Sequence, residues 1–269
     1  MFPAPFDYHR AQSIDAAIAL VGEHDDAKFL AGGHSLLPLM KLRLASPSLL
    51  VDIGHLPDLS YVRDDGDEVA IGALTRHHDL ATSEVLRRRV PVLAAVAGQI
   101  GDPSVRHRGT IGGSVAHGDG AADLPAALLA LEATMVARGG GGERRIPAST
   151  FFRGFLETAL APDEVLTEIR VPAVRDYSFQ KLNRRAQDWA IVGVVAVRNG
   201  STRVAFVNMA PTPVRAMGVE EALASGAGVD EAARRAAEGL EPPSDVNASA
   251  DYRRHLAEVL VARALRELA

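Results

Sequence analysis

Lys28-Phe29-Leu30-Ala31-Gly32-Gly33-His34-Ser35-Leu36 is the stretch on which the reading of this chain turns. A short apolar run stops at a double glycine, and a helical pattern starts directly behind it. Glycine lets the backbone take positive φ and lets a ligand approach the main chain closely. Exposed N–H groups at such a turn form a concave nest for an anion such as a pyrophosphate. A second stretch of the same kind, Gly109-Thr110-Ile111-Gly112-Gly113-Ser114, follows later in the chain, with Asp123 behind it. One such turn is equally well an ordinary strand-to-helix connection. Two of them, with an acid after the second, point to an anionic ligand held between two loops.

Around the first glycine pair the pattern is strand, helix, strand. Ser13 is expected to cap a helix to about Glu23, and Lys28 to Ala31 reads as a buried strand. Ser35 is expected to cap a second helix from Leu36 to about Leu44, and Leu49 to Ile53 reads as a further, parallel strand. From Tyr61 the texture changes. A hairpin turns at Asp64-Asp65-Gly66-Asp67. Thr75 is expected to cap a solvated helix start carrying His77 and His78. A second helix covers about Val90 to Ile100, a third Leu124 to Leu131, and strands cover Ala133 to Arg138 and, half exposed, Glu164 to Pro172. Beyond Pro172 three strands around Phe179, Val194 and Phe206, with a tight Asn199-Gly200 turn, read as an antiparallel sheet. Helices from Gly218, Val229 and Tyr252 close the chain. The expected fold class is α+β: residues 1–173 as a two-lobed domain (lobes of about 1–56 and 57–173), then a small antiparallel sheet with helices over 174–269.

Composition narrows the function classes. The 269 residues are 47% hydrophobic and carry a net charge of -5. That supports a packed core and argues against nucleic-acid binding, which usually shows a basic surplus. There is no cysteine, so the chain cannot form a disulfide or ligate a thiolate-bound iron–sulfur cluster by itself. The N-terminal Met1-Phe2-Pro3-Ala4-Pro5-Phe6 lacks the pattern of a signal peptide. No apolar run reaches the roughly 20 residues of a membrane helix. The expected location is the cytoplasm.

At Ala31 to Leu36, Gly109 to Ser114, Lys181-Leu182-Asn183-Arg184-Arg185 and Asp188-Trp189-Ala190 the chain resembles the medium, FAD-binding subunit of the molybdenum hydroxylases. Aerobic carbon monoxide dehydrogenases and bacterial multi-subunit xanthine dehydrogenases are the look-alikes, and the resemblance runs over essentially the whole chain. The G-x-G-x-x-G signature of a Rossmann fold is missing, which counts against NAD.

The resemblance implies FAD held by Phe29, Leu30, Ala31, Gly32, Gly33, His34, Ser35 and Leu36 as a first loop, with backbone N–H groups toward the pyrophosphate. Thr110, Ile111, Gly112, Gly113 and Ser114 form the second. Asp123 would accept a hydrogen bond from a flavin-side hydroxyl. Ile100 and Leu166 would pack against the rings, with Gly101 beside Ile100. Lys181 would place a cation near the isoalloxazine, where it favours an anionic reduced flavin. Trp189, where the family often has tyrosine or an aliphatic residue, is assigned to the same site. No catalytic residue and no metal ligand is expected. The implied role is electron transfer: an iron–sulfur small subunit delivers electrons from a molybdenum–pterin large subunit, in a dimer of heterotrimers.

Two other readings compete. One is a free-standing FAD oxidase of the wider superfamily, for which the roughly 95 residues after the FAD region leave little substrate domain. The other is a flavin-free interaction module. Plainer roles also stand beside individual assignments: Ser35 and Asp123 as helix caps, Lys181 as a surface lysine, and His34 and His117 as structural residues rather than metal ligands.

Overall fold

The computed structural model describes residues 2–269; of the N-terminal segment discussed above, Met1 lies outside the described residues. The first lobe is a three-stranded parallel sheet in the order β1-β3-β2. It is built from β1 (Asp7–Arg10), α1 (Ile14–Gly22), β2 (Lys28–Leu30), α2 (Leu36–Lys41) and β3 (Leu49–Asp52). Ser13 caps α1 as expected, its hydroxyl accepting the Ala16 N–H at 3.1 Å. β1 was not anticipated. Its side chains are all exposed, so it lacks the alternation that marks a half-buried strand.

The second lobe carries a five-stranded antiparallel sheet, β4-β5-β10-β6-β7, from β4 (Val62–Asp64), β5 (Glu68–Gly72), β6 (Thr134–Gly139), β7 (Gly142–Pro147) and β10 (Val165–Pro172). Between β5 and β6 run six helices: α3 (His77–Thr82), α4 (Glu84–Arg89), α5 (Pro91–Gly98), α6 (Pro103–Arg106), α7 (Ile111–His117) and α8 (Asp123–Ala130). A short helix, α9 (Ala148–Phe151), and a small hairpin, β8 (Phe152–Gly154) with β9 (Glu157–Thr158), connect β7 to β10. β10 is not a half-exposed strand. It is the central strand, and even its polar face is covered, where Arg170 bonds Glu68 at 2.9 Å and Glu168 at 2.8 Å.

The third sheet, β11-β12-β13-β14, comprises β11 (Asp176–Leu182), β12 (Val192–Asn199), β13 (Ser201–Val207) and β14 (Val214–Arg215). It is followed by α10 (Met217–Ala224), α11 (Val229–Arg234) and α12 (Ala250–Leu268). β12 is buried on both faces. Val195 and Val197 join the core of the second lobe, while Val192, Val194 and Ala196 pack under the C-terminal helices. This two-sided burial presses β11, and with it Lys181, against the second lobe.

Three local expectations fail for backbone reasons. Ser35 does not cap α2: it is itself in the helical region (φ -103°, ψ -52°), and capping needs an extended residue. Thr75 does not cap α3, because its hydroxyl donates to the Tyr61 carbonyl at 2.9 Å. The helix expected to reach Leu44 stops at Lys41.

Candidate functional site

The two glycine loops meet at the seam between the lobes, and each glycine does a different job. Gly33 sits at φ +77°, which a residue with a Cβ adopts only under strain. Gly32 packs on the second lobe: a Cβ there would strike the Arg108 carbonyl. Gly112 packs the same way, since a Cβ would come within 2.6 Å of the Ala73 carbonyl oxygen. Only Gly113 is exposed, and a Cβ there would meet Thr110 Oγ1 and then, at 4.0 Å, Ala31 Cβ of the first loop. The close packing at Gly32 and Gly112 thus brings Ala31 and Gly113 face to face.

The hydrogen bonding of the two loops is unequal. The N–H groups of Gly32, Gly33, His34 and Ser35 find no acceptor among the described residues. Four successive free donors form an anion nest at the carboxyl end of β2, where α/β units commonly bind ligands. The second loop has no such surplus. Ile111 N–H bonds Thr75 O at 3.0 Å, Gly112 bonds Ala73 O at 2.8 Å, and Gly113 bonds the Thr110 hydroxyl at 3.1 Å. Ser114 N–H bonds Thr110 O at 3.0 Å. The second stretch is therefore the capped start of α7, with Thr110 as its N-cap, rather than an open turn.

Asp123 and Lys181 form the other end of the site. Asp123 is the first residue of α8, not its cap, and is only 8% exposed. Its Oδ2 accepts from Lys181 Nζ at 2.7 Å, and Lys181 also donates to the Gln99 carbonyl at 3.2 Å. The Lys181 side chain is 3% exposed, so it is not a surface lysine. Asp123 Oδ1 is buried and has no partner. Burial raises the pKa of Asp123, and the Lys181 ammonium opposes that rise. A buried acceptor without a donor costs free energy unless a ligand supplies one. The Gln99 contact also brings Ile100 and Gly101 to this end, with Gly101 at φ +47°.

Leu166 is 5% exposed and packs in the core of the second lobe, a cluster that Ile100 also packs against. Trp189 is 62% exposed, at the mouth of a cavity of about 430 Å³ that also includes Ala121, Arg184 and the fully buried Arg253. Of the histidines, His34 and His117 belong to no group of metal-ligating side chains among the described residues.

Sequence reading missed His77, Gln99 and Arg76. His77 is buried beneath Gly109, not solvated: a Cβ on Gly109 would meet its ring at 2.6 Å. Arg76 spans the lobes, donating to Gly54 O at 2.9 Å and to Arg108 O. Nothing local marks either role, because each depends on a residue more than 20 positions away.

The donor nest, the facing glycine and the unpartnered acid suit a dinucleotide that has both a pyrophosphate and hydroxyls. Residues 4–174 match the FAD-binding domain of molybdopterin dehydrogenases, and residues 177–268 match the carbon monoxide dehydrogenase flavoprotein C-terminal domain. The carbon monoxide dehydrogenase medium chain of Hydrogenophaga pseudoflava is 44% identical, over 98% of this chain and 97% of that one. The solved carbon monoxide dehydrogenase from the same organism superposes with a TM-score of 0.96, covering 100% of this chain and 98% of that chain. Quinoline 2-oxidoreductase from Pseudomonas putida 86 superposes at 0.94 with 31% identity, covering 100% and 98%. No helix among the described residues is long and apolar enough to cross a membrane. Matched over its whole length by sequence and by fold, the chain belongs to the FAD-binding medium subunits of the molybdenum hydroxylases.

Proposed function

We propose that the chain takes electrons singly from iron–sulfur clusters of a small partner subunit and passes them to an external acceptor. In this reading substrate is oxidised at a molybdenum–pterin centre in a large partner subunit. The chain has no cysteine, so thiolate ligands for the clusters come from a partner. FAD, when bound, supplies the switch between one-electron uptake and two-electron release. The resemblance to the family further supports a dimer of heterotrimers. We place the domain boundary at residues 173 and 174, between the sheet ending at β10 and the sheet beginning at β11.

The single observation that carries this reading is the set of four unsatisfied N–H groups at Gly32 to Ser35, opposite Gly113. These donors would hold the pyrophosphate. Thr110 to Ser114 would form the opposite wall through shape, rather than through their bonded amides. Asp123 Oδ1 would accept a hydroxyl of the flavin side, and Ile100 would pack against the rings. Lys181 would act as one half of an ion pair. Its field at a flavin is then that of a dipole, weaker than the field of a lone cation.

The test is the visible spectrum of the purified full chain, with and without added FAD, before and after acid precipitation. Bands near ~370 and ~450 nm that pass into the acid supernatant are expected for non-covalent flavin. Flavin held in the pellet would favour a covalent oxidase. A chain that stays colourless and takes up no added FAD would overturn the assignment.

A further inference from the structure

A second polar cavity lies where the first lobe meets the second. Its volume is about 250 Å³, and it is lined by Tyr8, Arg10, Asp52, His55, Arg76 and Arg108, with Ala31 and Gly54. It takes only Ala31 from the first glycine loop, and nothing from the second loop, Asp123 or Lys181. It adjoins the glycine nest at Ala31 and is lined otherwise by different residues.

The charge in this cavity is unbalanced. Three guanidinium groups face one carboxylate, and that carboxylate is already engaged. Asp52 Oδ2 accepts from the Tyr8 hydroxyl at 2.6 Å, and Oδ1 from the Gly54 N–H at 2.8 Å. The Arg10 and Arg108 guanidiniums have no hydrogen-bond or ion-pair partner among the described residues. Burial and then the neighbouring Arg108 lower the pKa of Arg76, while Asp79 and Asp52 oppose this. His55 adds a further unsatisfied group. Its Nε2 lies 2.9 Å from the Ala11 carbonyl, which can only accept, and its buried Nδ1 has no hydrogen-bond partner, with Asp52 Oδ1 4.0 Å away.

We propose that this cavity binds a phosphate group. Arg76 already donates to the Gly54 and Arg108 carbonyls, which leaves the Arg10 and Arg108 guanidiniums without acceptors, and a phosphate has oxygens for both while adding charge to balance the third. Arg10 and His55 come from the first lobe, and Arg76 and Arg108 from the second. A phosphate between them bolts the lobes together beside the contact of Gly32 with Arg108. The ligand is inorganic phosphate or the phosphate of a phosphomonoester.

The experiment is equilibrium dialysis of the full chain against radiolabelled inorganic phosphate, with ionic strength held by sodium chloride. It is run without FAD and with saturating FAD. Bound phosphate that FAD does not displace is expected, with the melting temperature rising as phosphate is added. Arg10 and Arg108 are exposed and bond nothing, so Arg10→Gln and Arg108→Gln break no contact and should fold. Each should weaken phosphate binding roughly tenfold or more. Adenosine 5′-monophosphate competing more tightly than phosphate on the FAD-saturated chain would assign a phosphomonoester, and equal or weaker competition would assign the free ion. Loss of bound phosphate on FAD addition, or unchanged binding in both Arg10→Gln and Arg108→Gln, would overturn the proposal by placing phosphate in the glycine nest. No binding to the wild-type chain would overturn it outright. The wild-type and variant dialyses without FAD do not depend on whether FAD binds, and they separate a failure of this proposal from a failure of the flavin assignment.

Discussion

Acidification is expected to undo the support of the second glycine loop through His77. The ring is 5% exposed, lies against Gly109, and its buried Nδ1 has no partner. Burial, aided by His34, Arg76 and Arg106, lowers its pKa from 6.5 to about 4. The native state thus favours the neutral ring, whereas the unfolded chain takes up a proton near pH 6.5. Stability from this group is fully present above about 6.5 and is lost as the pH falls toward 4. At about 1.36 kcal/mol for each tenfold change in proton affinity, the loss approaches about 3 kcal/mol below pH 4, and is about 2.5 kcal/mol at pH 4.5. His77→Gln keeps a polar side chain of similar reach and cannot charge in this range. Urea unfolding of both proteins at pH 7.5 and 4.5 isolates the contribution, because other titrating groups act on both. The wild type should lose about 2.5 kcal/mol more than the variant, and should release FAD at a higher pH. Equal pH dependence in the two proteins would refute the reasoning.

Other perturbations separate the roles of neighbouring residues. Lys181→Met leaves a buried carboxylate with neither oxygen partnered, which should cost about 3–5 kcal/mol in thermal or urea unfolding. Adding Asp123→Asn to that variant should recover most of the loss, and no recovery would mean that Lys181 acts through packing alone. Gly112→Val should abolish folding of the second loop, because its branch runs into the Ala73 backbone. Gly113→Val meets only Thr110 Oγ1 before the cleft. It should cost about 1 kcal/mol through the weakened cap, yet prevent FAD retention. Circular dichroism melting and absorbance near ~450 nm would show fold and flavin parting in one variant and failing together in the other.

Much of the fold could be read from the sequence, because its signals are local. Ser13 caps its helix, the Asn199-Gly200 turn joins β12 and β13, and the residues around both double glycines stand at the lobe seam. What the sequence did not reveal, the strand β1 and the burial of β10, has no such signal. β1 exposes every side chain yet is held by parallel pairing with β3, from Asp7 opposite Leu49 to Arg10 opposite Asp52. β10 alternates in sequence but is central in its sheet, because paired charges rather than water cover its polar face.

The sequence by itself determined the chemistry available at the site: two glycine pairs, one acid, one lysine and no thiol. Periodicity and capping act over a few residues, so they survive in the linear order. Which groups remain free was decided only by the tertiary structure. The double glycines look alike in sequence, yet the N–H groups of one are consumed by Thr75, Ala73 and Thr110, while those of the other stay open. Asp123 and Lys181, 58 positions apart, become a pair only because β12 is buried on both faces and carries β11 against the second lobe. A hydrogen bond depends on where its partner lies in space, and the linear order does not record that.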